Sequence, residues 1–233
     1  MSETVTAIRD AVAARRFTQH VVVNVAKLVN MRTDPQLDAS VRACDIINID
    51  GMGVVIGARF LGHDVPERVA GVDLFHALLA MSAREGFSVF LLGAKDEVVS
   101  ATAAKVQALY PGLKLAGCHH GYFWEDEAAM VDKIRTSGAQ LLFVAITSPK
   151  KENFINRWRD QLGVSFVMGV GGTFDVVAGK VKRAPLWMQR WGLEWLYRVI
   201  QEPRRMWKRY LVTNAKFGYL LVREKTRHWF EKT

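Results

Sequence analysis

The sequence predicts an α/β fold, a mainly parallel sheet flanked by helices, with a basic Trp-rich helical C-terminal appendage. Three observations predict it. Short apolar runs such as "HVVVNV", "FSVFLLG" and "AQLLFVAIT" alternate with longer segments of helical periodicity. Within those runs successive residues are apolar, the pattern of strands buried on both faces of a parallel sheet. After "KVKRAP" the alternation stops and no strand-like run recurs. The 233 residues suit one large domain or one domain with an appendage, and the change of pattern divides them into a core over 1–181 and an appendage over 182–233.

The elements follow in order. "HVVVNV" (20–25) reads as a strand. "AKLVNMRTDPQLDASVRAC" reads as one or two short helical segments broken at Pro35. "DIINID" (45–50) is a strand, and "GVDLFHALLAMSAREG" is an amphipathic helix closed by Gly86. "FSVFLLG" (87–93) is a buried strand, followed by the helix "KDEVVSATAAKVQALYPG". "LKLAGCHHGYF" leads to the helix "EDEAAMVDKIRTSG", whose early acids Glu125 and Asp126 complement the helix dipole. The strand "AQLLFVAIT" (139–147) precedes the helical "SPKKENFINRWRDQLG", and "VSFVMGVGG" (164–172) runs from a strand into a Gly-rich turn. Ligands of such sheets bind outside the carboxyl ends of the strands. Asp50, Gly93, Thr147–Pro149 and Gly169–Gly172 occupy that position and are expected to line one crevice.

Charge separates the two parts. Residues 182–233 hold thirteen of the 32 Lys and Arg and four of the 23 Asp and Glu, so the whole net charge of +9 lies there. Nineteen of each sign remain in the rest, a neutral body. Five of the seven Trp share the basic segment: Trp187, Trp191, Trp195, Trp207 and Trp229. Trp187, Trp191 and Trp195 recur every four residues, which predicts one helical face, and Pro203 is expected to start a second helix. A neutral body with a basic, Trp-rich tail points to a polyanion or a membrane surface. No run reaches the ~18–20 apolar residues of a membrane span, and the N-terminus lacks the apolar stretch of a secretory signal. Cys44 and Cys118 form no CxxC pair, which suits reduced thiols in a cytoplasmic protein.

Asp50 poses the chemical question. A carboxylate at the end of a buried run must be solvated, paired or used. "GMGVVIG" gives Gly51, Gly53 and Gly57 after a strand, superficially a dinucleotide loop with Asp73 some 20 residues on as a ribose acid. However, Gly62, Pro66 and Gly71 fall where the helix and second strand of that unit belong, and Asp50 would repel a pyrophosphate. No D-x-D occurs, so a departing nucleotide diphosphate would be balanced by Arg, Lys or backbone N–H groups rather than a metal held by that motif. The adjacent His119 and His120 show no third metal-ligand pattern and read as a loop. "GVGGTFD" (169–175) lets backbone N–H groups approach an anion or a base, and equally suits a tight turn.

Taken together these segments resemble the WecG/TagA/CpsF glycosyltransferases of bacterial cell-surface polymer synthesis. The pieces are "VVVN", "DGMGVVIGARFLG", "ERVAGVDLF", "FLLGA", "SPKKE", "GVGGTFDVVAGKVKRAP" and "GLEWLYRVIQEPRR", in the family's order from about residue 20 to 210. The resemblance implies an inverting, metal-independent transferase with no cofactor. Its expected donor is a UDP-sugar and its expected acceptor a polyprenyl-diphosphate-linked sugar. It also implies a C-terminal appendage that meets an anionic membrane surface and completes the active site. The expected location is cytoplasmic, on the inner face of the cell membrane, with no nucleic-acid partner; a homo-oligomer is left open.

Residue by residue, the resemblance makes Asp50 the catalytic base and Arg68 a donor-phosphate arginine. Asn24, Gly51, Gly53, Asp73, Lys151, Glu152, Gly171, Gly172 and Asp175 become substrate-binding positions. Arg198, Arg205, Lys208 and Arg209 become diphosphate- and membrane-facing residues. Two positions depart from the family. Val22 replaces the Thr of its Thr-x-Asn motif, and Lys151 replaces the Gln of Pro-x-Gln-Glu, bringing a charge where an amide usually sits. The donor sugar is thereby left open among a hexose, an N-acetylhexosamine and its uronic acid. A non-catalytic nucleotide- or nucleic-acid-binding protein using the basic tail is the alternative, and an NAD(P)-dependent enzyme ranks third.

Overall fold

The structure is a computed structural model describing residues 1–230; the side chains of Arg205, Arg209 and residues 228–230 lie outside the described residues. The elements are α1 (Ser2–Ala13), β1 (Thr18–Val23), α2 (Val25–Met31), α3 (Pro35–Arg42), β2 (Ile46–Ile49), α4 (Met52–Phe60), α5 (Gly71–Glu85), β3 (Ser88–Gly93) and α6 (Asp96–Leu109). They continue with β4 (Lys114–His119), α7 (Glu127–Thr136), β5 (Leu141–Ala145), α8 (Lys150–Trp158), β6 (Phe166–Gly169), α9 (Thr173–Val177), α10 (Leu186–Arg190), α11 (Glu194–Gln201) and α12 (Pro203–Phe230). The six strands form one sheet in the order β2-β1-β6-β5-β3-β4. The pairs β1–β6, β6–β5, β5–β3 and β3–β4 are all parallel, as the unbroken apolar runs predict.

Contacts divide the chain into two units. The first comprises Met1–Val22, Ala39–Ile47 and Val69–Lys182; the second comprises Val23–Asp38, Asn48–Arg68 and Arg183–Thr233. In the first, strand alternation sorts side chains between two apolar clusters. Val89, Leu91, Leu141, Phe143, Phe166 and Met168 join α1, α5, α6 and α9 on one side. Phe90, Leu92, Leu142, Val144 and Val167 join α7 and α8 on the other. Both phases of β3, β5 and β6 are therefore buried, which removes the polar alternation of a one-sided sheet, whereas the edge strands β2 and β4 have no buried residue. Gly93 ends β3 at φ +123°, and a Cβ there would lie 2.4 Å from the Ala145 carbonyl oxygen. Only glycine fits that turn.

In the second unit α12 packs on α2 and α11. Gly57 on α4 lets α12 come close, since a Cβ would sit 2.8 Å from the Phe217 ring. Pro203 opens α12, as expected.

Several local expectations need correction. The first strand ends at Val23 rather than residue 25, because Asn24 caps α2: its Oδ1 accepts a hydrogen bond from the Lys27 N–H at 3.0 Å. A helix, α4, does follow Gly51; the segment after it leads to α5 without an intervening strand. "KLAGCH" forms the edge strand β4, so His119 ends a strand rather than lying in a loop. The Gly-rich turn after β6 runs at once into the short α9. Trp187, Trp191 and Trp195 do not share one helix: Trp187 is on α10, Trp191 caps it, Gly192 at φ +70° breaks the chain and Trp195 is on α11.

Candidate active site

In the second unit two chain reversals lie side by side. One follows β1 at Asn24 and the other follows β2 at Asp50 and Gly51. The Asp50 N–H donates to the Val23 carbonyl at 3.0 Å, so Asp50 extends the strand pairing by one residue. Gly51 then caps α4, its carbonyl accepting from the Val54 N–H at 2.9 Å. A Cβ on Gly51 would be 3.3 Å from the Asn24 Cβ, and one on Gly53 would be 2.8 Å from a Val25 methyl. These two glycines are thus needed for the close approach of α2 and α4, and through it they set the spacing of Asn24 and Asp50.

Arg68 reaches the same place from the irregular stretch before α5. Its Nη1 donates to the Asp50 carbonyl at 3.3 Å and to Glu194 Oε2 at 2.8 Å. Glu194 Oε1 lies 3.4 Å from Arg183 Nε. The three side chains are partly buried, with exposures of 18% for Arg68, 26% for Glu194 and 25% for Arg183. The guanidinium therefore stands in a site shielded enough for charge to matter and open enough for a ligand. Of the predicted residues, Asn24, Asp50, Gly51, Gly53 and Arg68 come together here.

The first unit holds the others. Lys151 and Glu152 lie in the first turn of α8 and are buried, with Nζ and Oε1 2.6 Å apart and side-chain exposures of 7% and 4%. The Lys151 stem crosses Gly169 at the end of β6, where a Cβ would meet its Cε at 2.8 Å. The charge that replaces the amide is thus held against a neighbouring carboxylate. Gly171 takes φ +54° with open space beside it, Gly172 caps α9 and Asp175 lies in its first turn. Asp73 is exposed in the first turn of α5. In the appendage, Arg198 is on α11 and Lys208 is exposed on α12, while the side chains of Arg205 and Arg209 lie outside the described residues.

Sequence reasoning missed two features. Glu194 and Arg183 were inside the quoted segments "GLEWLYR" and "GKVKRAP", but nothing local tied them to Arg68. The second is a concavity of about 650 Å³ in the first unit, lined by His119, Tyr122, Phe123, Trp124, Asp126 and Lys133. The aromatic run after "CHH" was its signal. Burial lowers the proton affinity of His119, against a hydrogen bond with the His120 carbonyl. Burial, with the charge of Asp96, raises that of the Cys118 thiol. Neither Cys44 nor Cys118 forms a disulfide. Among the described residues no group of three or more His, Cys, Asp or Glu is arranged to hold a metal ion. No described helix is long and apolar enough to cross a membrane.

Comparison with known proteins identifies the family of the chain. Over 178 residues the chain is 38% identical to the N-acetylglucosaminyldiphosphoundecaprenol N-acetyl-beta-D-mannosaminyltransferase of Bacillus spizizenii, covering 76% of this chain and 68% of the relative. The sequence profile described as the glycosyl transferase WecG/TagA/CpsF family matches residues 1–231. The chain belongs to that family and is a glycosyltransferase.

Proposed function

We propose that this enzyme transfers an N-acetylhexosamine, a hexose or its uronic acid from a UDP-sugar to a polyprenyl-diphosphate-linked sugar in the synthesis of a bacterial surface polysaccharide. The observation that carries the reading is Arg68 bonded to the backbone of Asp50 in a family member. It supports placing a base and a diphosphate cation within one residue's reach of each other. The relative's name specifies a lipid-diphosphate acceptor and a β-linked product. A β-linked product made from an α-linked nucleotide sugar requires inversion in a single displacement. Family membership favours catalysis over the reading as a non-catalytic nucleotide- or nucleic-acid-binding protein.

In the proposed step the Asp50 carboxylate takes the proton of an acceptor hydroxyl as that oxygen bonds to the anomeric carbon. The bond from that carbon to the diphosphate breaks, and its electron pair leaves on UDP. General-base assistance of this kind contributes about 10²–10⁴ in rate. Arg68 offsets the charge growing on the diphosphate. Gly171, Gly172 and Asp175 are the proposed uridine contacts, and Asn24, Asp73, Lys151 and Glu152 the proposed sugar-side residues. Arg198, Arg205, Lys208 and Arg209 are assigned to lipid diphosphate and membrane, and 182–233 to a peripheral attachment on the inner face of the cell membrane.

The test is a UDP-release screen over a UDP-sugar panel with a synthetic polyprenyl-diphosphate-sugar acceptor. Asp50→Asn is expected to abolish transfer while UDP still binds. Substantial turnover in that variant rejects Asp50 as the base, and no transfer by the unaltered enzyme with any donor rejects the reaction.

A further inference from the structure

We propose that Glu194 is a positioning residue of the transfer reaction, which clamps the Arg68 guanidinium beside Asp50 and leaves its phosphate-binding edge unoccupied. The inference rests on the reaction proposed above. Arg68 lies on an irregular stretch between α4 and α5, so no helix or strand restrains its long side chain. Such a side chain has many rotamers to lose when it is held in one. A cation that stabilises a leaving diphosphate acts best when already held in place.

Two contacts hold it, and a third fixes its partner. Glu194 Oε2 accepts from Arg68 Nη1 at 2.8 Å, and the same Nη1 donates to the Asp50 carbonyl at 3.3 Å. The other carboxylate oxygen, Oε1, lies 3.4 Å from Arg183 Nε, which fixes Glu194 from a second side. A separate observation ties the base of α11 to the same loop. Gly192, two residues before Glu194, has φ +70°, and a Cβ there would lie 2.5 Å from the Met52 Cβ. Met52 is two residues after Asp50. The α10–α11 turn therefore abuts one side of the Asp50 loop while Glu194 holds the arginine bonded to it.

The donors that remain distinguish a clamp from a competitor. A carboxylate standing in for substrate would be expected on the side-on fork of the guanidinium, made by Nε and Nη2, which suits a phosphate bidentately. Glu194 takes only Nη1. Among the described residues Nε and Nη2 of Arg68 form no hydrogen bond, so Glu194 does not engage the fork.

The experiment compares the full-length enzyme with Glu194→Gln and Glu194→Asp. Transfer kinetics, UDP affinity by calorimetry, the melting temperature and ¹⁵N relaxation of the Arg68 side-chain Nε are measured. The expected result for Glu194→Gln is a fall in kcat of about 10–100-fold with UDP affinity and melting temperature little changed, and faster motion at Arg68 Nε. Glu194→Asp recovers part of the rate. Unchanged Nε motion overturns the clamp whether or not transfer is detected, whereas failure of the unaltered enzyme to transfer bears on the reaction alone. Tighter UDP binding with undiminished kcat overturns it in favour of a competing carboxylate. A loss explained entirely by a lower melting temperature overturns it in favour of a purely structural pair.

Discussion

At the residue scale the departures from the family pattern acquire physical meaning. Lys151 stands where the resemblance leads one to expect an amide, yet its ammonium is 2.6 Å from Glu152 Oε1 and only 7% exposed. A cation so placed has its charge compensated within the protein. Removing one member of a buried pair typically costs about 3–5 kcal/mol, because the remaining charge keeps its desolvation. Lys151→Met is accordingly expected to lower the unfolding free energy from urea titration by an amount in that range, shifting the midpoint down, and a Lys151→Met/Glu152→Leu double variant to recover most of it. An unchanged midpoint in the single variant would show that the pair contributes nothing to stability. Val22 and Asn24 behave differently. Asn24 is anchored by its capping bond to the Lys27 N–H, so its role in the backbone is secure whatever stands at position 22.

At the element scale the glycines of the second unit decide how closely helices pack. Gly57 faces Phe217 and Leu221 of α12, and a Cβ would come within 2.8 Å of the Phe217 ring and 3.1 Å of a Leu221 methyl. An aromatic ring cannot withdraw as a lysine tip can, so the helices must separate. Overpacking of this kind costs about 1–3 kcal/mol. Gly57→Val should therefore lower the melting temperature and speed proteolysis within α12, and Phe217→Ala in the same chain should reverse part of the loss. Equal proteolysis rates in Gly57→Val and the unaltered protein would show that α12 does not depend on this contact. The same element explains why a truncation at the start of the basic segment is a poor probe: it strips packing from α2 and α4 as well as charge.

At the scale of the whole molecule the net charge of +9 belongs entirely to residues 182–233. That segment also exposes apolar side chains: Leu186 is 69% exposed, Trp187 59% and Trp191 76%. α11 has no buried residue although it carries Trp195, Leu196 and Ile200. Exposed indoles beside arginines suit the headgroup region of an anionic bilayer. The triple variant Leu186→Ser, Trp187→Ser and Trp191→Ser should no longer sediment with anionic vesicles yet should melt as the unaltered protein does, since these side chains are exposed. Undiminished sedimentation would remove the membrane assignment.

The sequence by itself determined the sheet and its burial. Continuous apolar runs at β3, β5 and β6 require helices on both faces; the carboxylate at the end of β2 is legible because it terminates a strand, although β2 is an edge strand with no buried residue rather than the buried run expected. It also determined the charge of the appendage and the family. Tertiary structure alone decided three things. His119 ends an edge strand, which "KLAGCH" announces weakly because its burial is only partial. The Trp spacing of four is divided between two helices by Gly192, whose positive φ overrides the periodicity. Glu194 meets Arg68 across 126 positions of sequence. Period and propensity are properties of neighbouring residues, whereas an ion pair of that separation exists only once the intervening chain has folded.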